Sequence, residues 1–452
     1  MIRGISWIGK YYVYLMTLTA LWVLFLNFHA QGQPGIFLSY LNSKQIILSW
    51  FDSSVLPSPA LTTYPIWGYG FLLTLTENKI IILLLQNFLG IFSAWFLIRH
   101  LERVYSPDQP FVIFVKVLTV ISVPWFAFYS LQWPFGIAIS LFMISLTLLT
   151  HTFLSEEPKI KILVLSGCLF GLALNFRSDF YLMPLGFAVI VWVLLKFKYS
   201  IAVKVSIWLV SIYVLLIPWG IYTKKVSGHY LLTTTDPGAV LFTGLGLLPE
   251  NKWGITPKDE DPLMHLLLKQ KFGKGSNYIS YESDQFLKDK FIELIMEDPL
   301  EYIRKCIYIF PKILVGGTYF GEFYESKECF PYCHDRYREH MKNIRSNIWN
   351  FFDLDIRSII TFPFYWYSGV FSKVLVFVSY LVFPFTLFYS IKNRDLFIIL
   401  VLSAIAYQTT LLTLAFYMPI YLTEVYFLHV INLSLAIHLL NQRFQARKPT
   451  LT

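Results

Sequence analysis

Charged residues are scarce in this chain, and their scarcity excludes an ordinary soluble domain. Asp, Glu, Lys and Arg make up only 14% of the 452 residues, while hydrophobic residues make up 56%. A soluble domain carries about 25% charged residues. The mean hydropathy of +0.55 therefore indicates a membrane protein. Heptads, fixed-period repeats and low-complexity tracts are also lacking from the sequence.

The sequence also lacks the residue patterns of a metal site or a nucleic-acid interface. No cluster of His, Asp and Glu has the spacing of metal ligands, so we predict neither a metal nor a cofactor. The net charge of +9 comes from Lys and Arg that lie mostly in short hydrophilic gaps between apolar runs. Basic residues in such gaps set the orientation of membrane helices. We therefore predict membrane lipids, and no nucleic acid, among the partners.

Apolar runs of about 20 residues, the length that crosses a bilayer core, recur along the chain. They predict an all-α, polytopic membrane protein of about ten transmembrane helices. No clear small-residue cleavage site follows the first run, so we treat it as a retained helix rather than a signal peptide. The ten runs lie at residues 11–28, 79–98, 111–131, 135–154, 162–176, 180–196, 203–222, 370–391, 396–416 and 419–440.

The basic gaps all fall on one side of the membrane if ten helices cross it, and that side is then the cytoplasm. We therefore predict a multi-pass protein of the plasma (inner) membrane with both termini in the cytoplasm. The N-terminal membrane domain would comprise 1–222, with a first outer loop at 29–78. An extracytoplasmic segment, 223–369, would separate helices seven and eight. Residues 370–452 would form the last helices and a short cytoplasmic tail.

This topology depends on the run at 303–320, which must not cross the membrane. It carries Arg304, Lys305 and Lys312 as well as Pro311. These residues predict an amphipathic, interfacial helix on the membrane surface. The alternative is a crossing helix, which would place everything after it on the opposite side.

Only four cysteines are present, and two of them, Cys329 and Cys333, form the motif "CFPYC" in the predicted outer segment. An exported compartment permits a disulfide between them. Their spacing suits a small loop closed by that bond. Free thiols are an alternative, and a metal pair is disfavoured because no second pair accompanies it.

Two full charges, Arg177 and Asp179, interrupt the apolar sequence "GLALNFRSDFYLMPLG" at 171–186. Charges near hydrocarbon are costly, so they normally pair or face a water-filled cavity. In one interpretation the Arg reaches toward the interface and the Asp starts the next helix. In the other, Arg177 faces a cavity and binds an anionic headgroup through its planar, permanently charged guanidinium.

Two carboxylates stand out as candidate general bases. Asp52 is the only acid before Glu77, and it lies between aromatic residues and a Pro-rich stretch. Partial desolvation there would raise its pKa toward the range of a general base. The alternative is a solvated Asp that caps a turn with Ser53 and Ser54. Glu424 lies inside an apolar run and is either functional or the ion-pair partner of Arg177.

The stretch "LIPWGIYTKKVSGHYLLTTTDPGAVLFTGLG" at 216–246 follows the seventh predicted helix. Lys224, Lys225 and His229 would lie at the level of the lipid headgroups. The Gly and Thr residues of 233–246 predict a compact loop with exposed donors that could cradle a phosphate or a sugar. The alternative is a tight structural turn over the helix ends.

Three stretches together resemble a known family. They are "TYPIWGYGFLL" (63–73), "LALNFRSDFYLMPL" (172–185) and the 216–246 stretch, in that order along the chain. The chain resembles the GT-C class of integral-membrane glycosyltransferases, especially the bacterial branch similar to dolichyl-phosphate-mannose–protein mannosyltransferases. Members usually carry an Asp shortly before a Tyr soon after the first helix. The corresponding "QPGIFLSYLN" of this chain contains no acid, and the nearest one is Asp52.

The resemblance implies a GT-C-like fold and transfer of a sugar from a polyprenyl-phosphate donor on the outer face of the membrane. The acceptor would be a cell-surface glycan, lipid or protein. The base would be Asp52, with Glu424 and Asp236 as the next candidates. The donor would be bound by residues of the three matching stretches, namely Tyr64, Arg177, Asp179, Lys224, Lys225 and His229.

Two other functions are compatible with the sequence. One is a transporter or flippase of a lipid-linked glycan, although we find no pair of matching halves of the kind that such folds usually show. The other is a catalytically inactive homologue that binds a lipid-linked glycan during glycan assembly. The missing early Asp favours this last alternative.

Overall fold

A computed structural model describes most of the chain. The described residues are 2–27, 34–52, 54–55, 63–64, 66–122, 125, 129, 133–155, 159–273, 275–316, 356–417, 421–422 and 424–446. They fold into helices joined by turns, and no strand occurs among them. The predicted all-α class is therefore confirmed for this part of the chain. The described helices are α1 (Ile2–Asn27), α2 (Pro34–Ser49), α3 (Gly68–Leu75), α4 (Lys79–Tyr105), α5 (Pro110–Val120), α6 (Pro134–Leu154), α7 (Ile160–Phe176), α8 (Met183–Leu194), α9 (Tyr199–Tyr213), α10 (Ile217–Ser227), α11 (Pro237–Gly244), α12 (Pro262–Phe272), α13 (Tyr281–Glu297), α14 (Pro299–Gly316), α15 (Ile356–Asn393), α16 (Leu396–Leu414) and α17 (Tyr426–Ala446).

Several of these helices have the length and apolar composition of membrane spans, so the protein is a membrane protein. Among the described residues, five segments meet both conditions, and four further apolar helices are shorter. The five are Ile80–Tyr105, Pro134–Leu154, Tyr199–Ser227, Phe371–Asn393 and Leu396–Leu414. Each of the ten predicted runs is helical in whole or in part. The count of ten crossings stays a prediction.

The helices enclose one large apolar core, and α6 spans it from end to end. Phe135, at the start of α6, stacks on the guanidinium of Arg177. Thr150, near its other end, contacts His100. We call the region around Phe135 the Arg177 end. We call the region around Thr150 and His100 the Glu102 end, after the largely buried acid two residues beyond His100. A rise of about 1.5 Å per helical residue places them more than about 20 Å apart.

The predicted first outer loop, 29–78, is more ordered than a loop. It contains α2 and α3, which pack against each other. Behind them, Trp50 and Trp67 pack with Trp219 and Tyr222 of α10 in a small aromatic core. In the sequence, the mixture of polar and apolar residues in α2 does not distinguish this helix from a loop.

Beyond α10, α11 to α13 form a second, smaller core around Phe242, Met264 and Leu287. The chain then enters α14, which buries Glu301 and Lys305 and exposes Ile303 and Ile307. With four charges in 18 residues it is not among the candidate spans of the described chain. The interfacial placement of this helix stays a prediction. The next helix, α15, begins at Ile356 rather than near 370.

Candidate functional site

The Arg177 end is built around a break between two apolar helices. α7 ends at Phe176, and Arg177 adopts an extended conformation. A single 3₁₀ turn, Ser178–Phe180, buries the Phe180 ring and leads toward α8, which has Pro184 in its first turn. The break therefore holds both charges of the "RSD" sequence at one end of the bundle.

Arg177 is held by two carboxylates and two aromatic rings. Its guanidinium forms an ion pair with Asp179, and its Nη2 atom lies 3.4 Å from Oε1 of the buried Glu424. The guanidinium carbon lies 3.8 Å from the ring centroid of Phe135 and 5.3 Å from that of Tyr421. The ion pair with Glu424 is the structural alternative that the sequence left open. It also fixes the orientation of the guanidinium plane.

α16 supplies two residues that the sequence analysis missed. Gln408 Nε2 donates to Oε2 of Glu424 at 2.9 Å, and the Tyr407 hydroxyl donates to the backbone carbonyl of Asp179 at 2.7 Å. Neutral polar residues are common in membrane helices, so their sequence carries no comparable signal. They tie α16 to both acids of the Arg177 cluster, which we define as Arg177, Asp179 and Glu424.

Asp236 interacts electrostatically with two residues of this cluster, Arg177 and Asp179. It precedes α11, whose start is fixed by Asp284: Gly238 N donates to Oδ1 of Asp284 at 2.7 Å. A Cβ atom at Gly238 would lie 2.2 Å from the Asp284 carbonyl oxygen, so only glycine permits this approach. Burial, then the charges of Asp259, Asp284 and Asp179, raise the pKa of Asp236 to about 7, against the opposing effect of Arg177.

The first loop region meets the chain beside Asp236. The hydroxyls of Thr63 and Thr235 lie 2.6 Å apart, and Trp219 donates from its indole nitrogen to the Thr233 carbonyl at 3.0 Å. Tyr64 follows Thr63 and is half-buried. Two of the stretches that carry the family resemblance therefore touch each other here.

Asp52 has the solvated environment, one of the two alternatives that the sequence left open. It is exposed, and its carboxylate accepts hydrogen bonds from the amide and the hydroxyl of Ser54 at 2.9 and 2.7 Å. These bonds hold the pKa of Asp52 below its usual value. The desolvated alternative is wrong, because the carboxylate of Asp52 is exposed to solvent. The turn alternative describes it, although Ser53 lies outside the described residues.

The three basic candidates of the 216–246 stretch lie at the surface. Lys224 and Lys225 are exposed in the last turn of α10, where cations complement the helix dipole. His229 is exposed and stacks on Tyr281 with 3.6 Å between ring centroids. Their described contacts do not include the Arg177 cluster.

An apolar groove lies on the opposite side of α16 from the Arg177 cluster. It has a volume of about 340 Å³ and runs between α14, α15 and α16. Within it, the Tyr380 hydroxyl lies 2.7 Å from that of Thr409, the residue next to Gln408. Its apolar lining includes Phe310, Leu314, Phe377, Leu381, Ile405 and Ala406.

Two predictions concern features that the site does not contain. Cys329 and Cys333, with their proposed disulfide, lie outside the described residues. Among the described residues, no group of three His, Cys, Asp or Glu side chains is arranged to hold a metal ion.

No protein-family model, curated protein or solved structure matches this chain.

Proposed function

We propose that the protein is a membrane glycosyltransferase that moves a sugar from a polyprenyl-phosphate donor to a hydroxyl of a cell-surface glycan, lipid or protein. The observation that carries the proposal is the electrostatic interaction between a fixed cation, Arg177, and Asp236, a carboxylate whose pKa is raised to about 7. Transfer from a phosphate leaving group needs a cation for the developing charge and a base for the acceptor hydroxyl.

In this proposal Asp236 accepts the proton of the acceptor hydroxyl. The acceptor oxygen then forms its bond to the anomeric carbon of the sugar while the bond from that carbon to the phosphate oxygen breaks. The phosphate leaves with the electron pair, and Arg177 stabilises its added charge. Asp179 and Glu424 orient the guanidinium, and the rings of Phe135 and Tyr421 support it from its faces.

Among the three predicted bases, the surroundings favour Asp236. A general base works best with a pKa near the operating pH. Burial and neighbouring acids raise the pKa of Asp236 to about 7, whereas the hydrogen bonds from Ser54 lower that of Asp52. Glu424 is engaged with Arg177 and Gln408, so we assign it to orienting the cation.

The apolar groove supports a lipid-linked donor. A polyprenyl tail needs an apolar surface, and the groove supplies one on the side of α16 opposite Tyr407 and Gln408. A tail bound there would pass around α16 from a phosphate at Arg177. The surface residues Lys224, Lys225 and His229 are assigned to the lipid headgroup region. Tyr64, which follows Thr63 beside Thr235, is assigned to donor binding.

The proposal includes the ten-helix topology, a GT-C-like fold and cytoplasmic termini in the plasma membrane. It predicts that 223–369 faces outward. Single cysteines placed at 321–365 should react with an impermeant maleimide in intact cells. Labelling that requires permeabilised cells would refute the ten-helix topology.

A second candidate is a flippase of a lipid-linked glycan, and a buried polar group favours it. His429 Nδ1 lies 2.9 Å from the Ser379 hydroxyl, and Asn432 bonds both Ser379 and Thr386 inside the helix bundle. Polar side chains at this depth often mark a substrate path. Flipping of a fluorescent lipid-linked glycan in vesicles, without sugar transfer, would favour this function.

A further inference from the structure

Lys305 is a buried cation that caps a membrane helix. Its side chain is fully buried on the inner face of α14. Nζ donates to three backbone carbonyls, those of Thr413, Leu414 and Ala415, at 2.9, 3.0 and 2.8 Å. An ammonium has three donors, so each of them is used. The acceptors belong to the C-terminal end of α16, where unsatisfied carbonyls make the helix dipole negative.

This contact fixes α14 against α16 in both direction and register. Tyr302, one turn before Lys305, adds a hydrogen bond from its hydroxyl to the Leu414 carbonyl at 2.8 Å. Burial lowers the pKa of Lys305 to about 8, because desolvation disfavours the charged form. The helix exposes ample surface on which a Lys could stay solvated, so the buried position reflects the contact itself.

The same helix end also meets α11. Gly244, the last residue of α11, packs so closely that a Cβ atom there would lie 2.3 Å from the Ala415 carbonyl oxygen. Asp236 immediately precedes α11, eight residues before Gly244. Gln408 lies about 8 Å along α16 from Thr413 at the usual helical rise. The C-terminal end of α16 therefore contacts α11, the helix that follows Asp236. The same helix, α16, carries Gln408, which holds Glu424.

We propose that Lys305 is a positioning residue: by capping α16 it holds the segment bearing Asp236 in register with Arg177 and Glu424. The inference rests on the proposed transferase function for its effect on the reaction. The contact between α14 and α16 can be tested without that function.

The direct variant is Lys305→Met, which keeps a long side chain and removes all three donors. Lys312→Met is the matched control, because Lys312 lies exposed on the same helix, with its Nζ 3.9 Å from the ring centroid of Tyr308. We expect kcat to fall at least about tenfold in Lys305→Met with a smaller change in KM, since small misplacements of catalytic groups are costly. Lys312→Met should transfer sugar at the wild-type rate.

A double-mutant cycle separates positioning from general destabilisation. If Lys305 acts through the placement of Asp236, Lys305→Met should have little further effect on the residual rate of Asp236→Asn. An equal loss in both backgrounds would overturn the proposal. Tyr302→Phe removes a single hydrogen bond to the same helix end and should give a smaller decrease of the same kind.

Cys306 reports on the contact independently of any transfer. Its sulfur lies 3.8 Å from the Thr413 carbonyl oxygen, and the side chain is half-buried. With Cys168, Cys329 and Cys333 replaced by Ser, maleimide should label Cys306 at least about tenfold faster in Lys305→Met and at the wild-type rate in Lys312→Met. Unchanged labelling in Lys305→Met would refute the role of Lys305 in holding α14 against α16. Faster labelling in a protein that transfers no sugar would support that role and count against the transferase function.

Discussion

The two ends of the bundle balance their buried charges in opposite ways. At the Glu102 end, one carboxylate meets two cations: Glu102 lies 2.8 Å from Lys116 and 2.9 Å from Arg99. At the Arg177 end, one cation contacts two carboxylates, and a third, Asp236, interacts with it electrostatically. The first arrangement satisfies its acid and is a structural contact. The second leaves an acid with a pKa near neutrality, which is a property of proton-transfer sites.

The largest expected effect is that of Arg177→Ala, which removes the only cation of the cluster. Transfer should fall by about 10²–10³, the usual loss for one group that stabilises transition-state charge. Arg177→Lys should also impair donor binding, because Lys lacks the bidentate fork. Donor affinity and transfer rate in proteoliposomes are the measurements.

Arg99→Ala, at the Glu102 end, is the matched control for Arg177. Arg99 also pairs with a Glu but is exposed. It should retain wild-type transfer. Unchanged donor affinity in both Arg177 variants would assign Arg177 a structural role and remove the distinction between the two ends.

Asp236→Asn should lower the transfer rate about 10²-fold, which is the lower end of the range for loss of a general base. The wild-type rate should fall tenfold per pH unit below about pH 7, because protonation of Asp236 removes the base. The residual rate of Asp236→Asn should lack this dependence. A wild-type profile that is flat between pH 5 and 8 would contradict the assignment.

The same pKa predicts a stability effect that needs no transfer assay. Because the pKa of Asp236 is raised on folding, the folded state keeps a proton that the unfolded state releases between about pH 4 and 7. Stability from this group therefore decreases as pH rises through that window. Asp236→Asn should raise the melting temperature relative to wild type more at pH 8 than at pH 4. An equal shift at both values would contradict the raised pKa.

At the Glu102 end, Lys116→Met should act on stability and not on the reaction. Without Lys116, the largely buried Glu102 keeps only the exposed Arg99 as a partner, so we expect a loss of about 2 kcal/mol, the usual value for a hydrogen bond to a charged group. Both side chains of this pair are largely buried. Thermal unfolding in detergent measures the loss, and the transfer rate per folded molecule should be unchanged. A loss of transfer without a loss of stability would place chemistry at this end.

The smallest expected effect is that of Asp52→Asn. Its carboxylate is exposed and its hydrogen bonds are with Ser54, so transfer should stay within about twofold of wild type. A loss comparable to that of Asp236→Asn would restore Asp52 as the base and imply that the loop closes over the site when substrate binds.

The sequence was most informative where charge interrupts apolar runs. Arg177, Asp179 and Glu424 could be selected because charges near hydrocarbon are rare, and the structure brings them together. Gln408 and Tyr407 could not be selected, since neutral polar residues cost little in a helix and have many uses. Their role depends on which face of α16 meets the break after α7, and that is a property of the packing.

Burial of individual loop residues was much harder to predict. Aromatic and Pro neighbours suggested that Asp52 is covered, but the local Ser54 contacts form an exposed turn. The surroundings of Asp236 come instead from distant parts of the chain. Asp284 acts on it electrostatically, and Thr63 contacts Thr235, the residue before Asp236. A pattern confined to neighbouring residues cannot report such surroundings.

The most direct test is a transfer assay with the purified protein in lipid, a panel of polyprenyl-phosphate sugars as donors and membrane extract as acceptor. Wild type, Asp52→Asn and Asp236→Asn would be compared side by side. We expect transfer by wild type and by Asp52→Asn, and its loss in Asp236→Asn. Transfer that survives in Asp236→Asn and disappears in Asp52→Asn would contradict the assignment of chemistry to the Arg177 end.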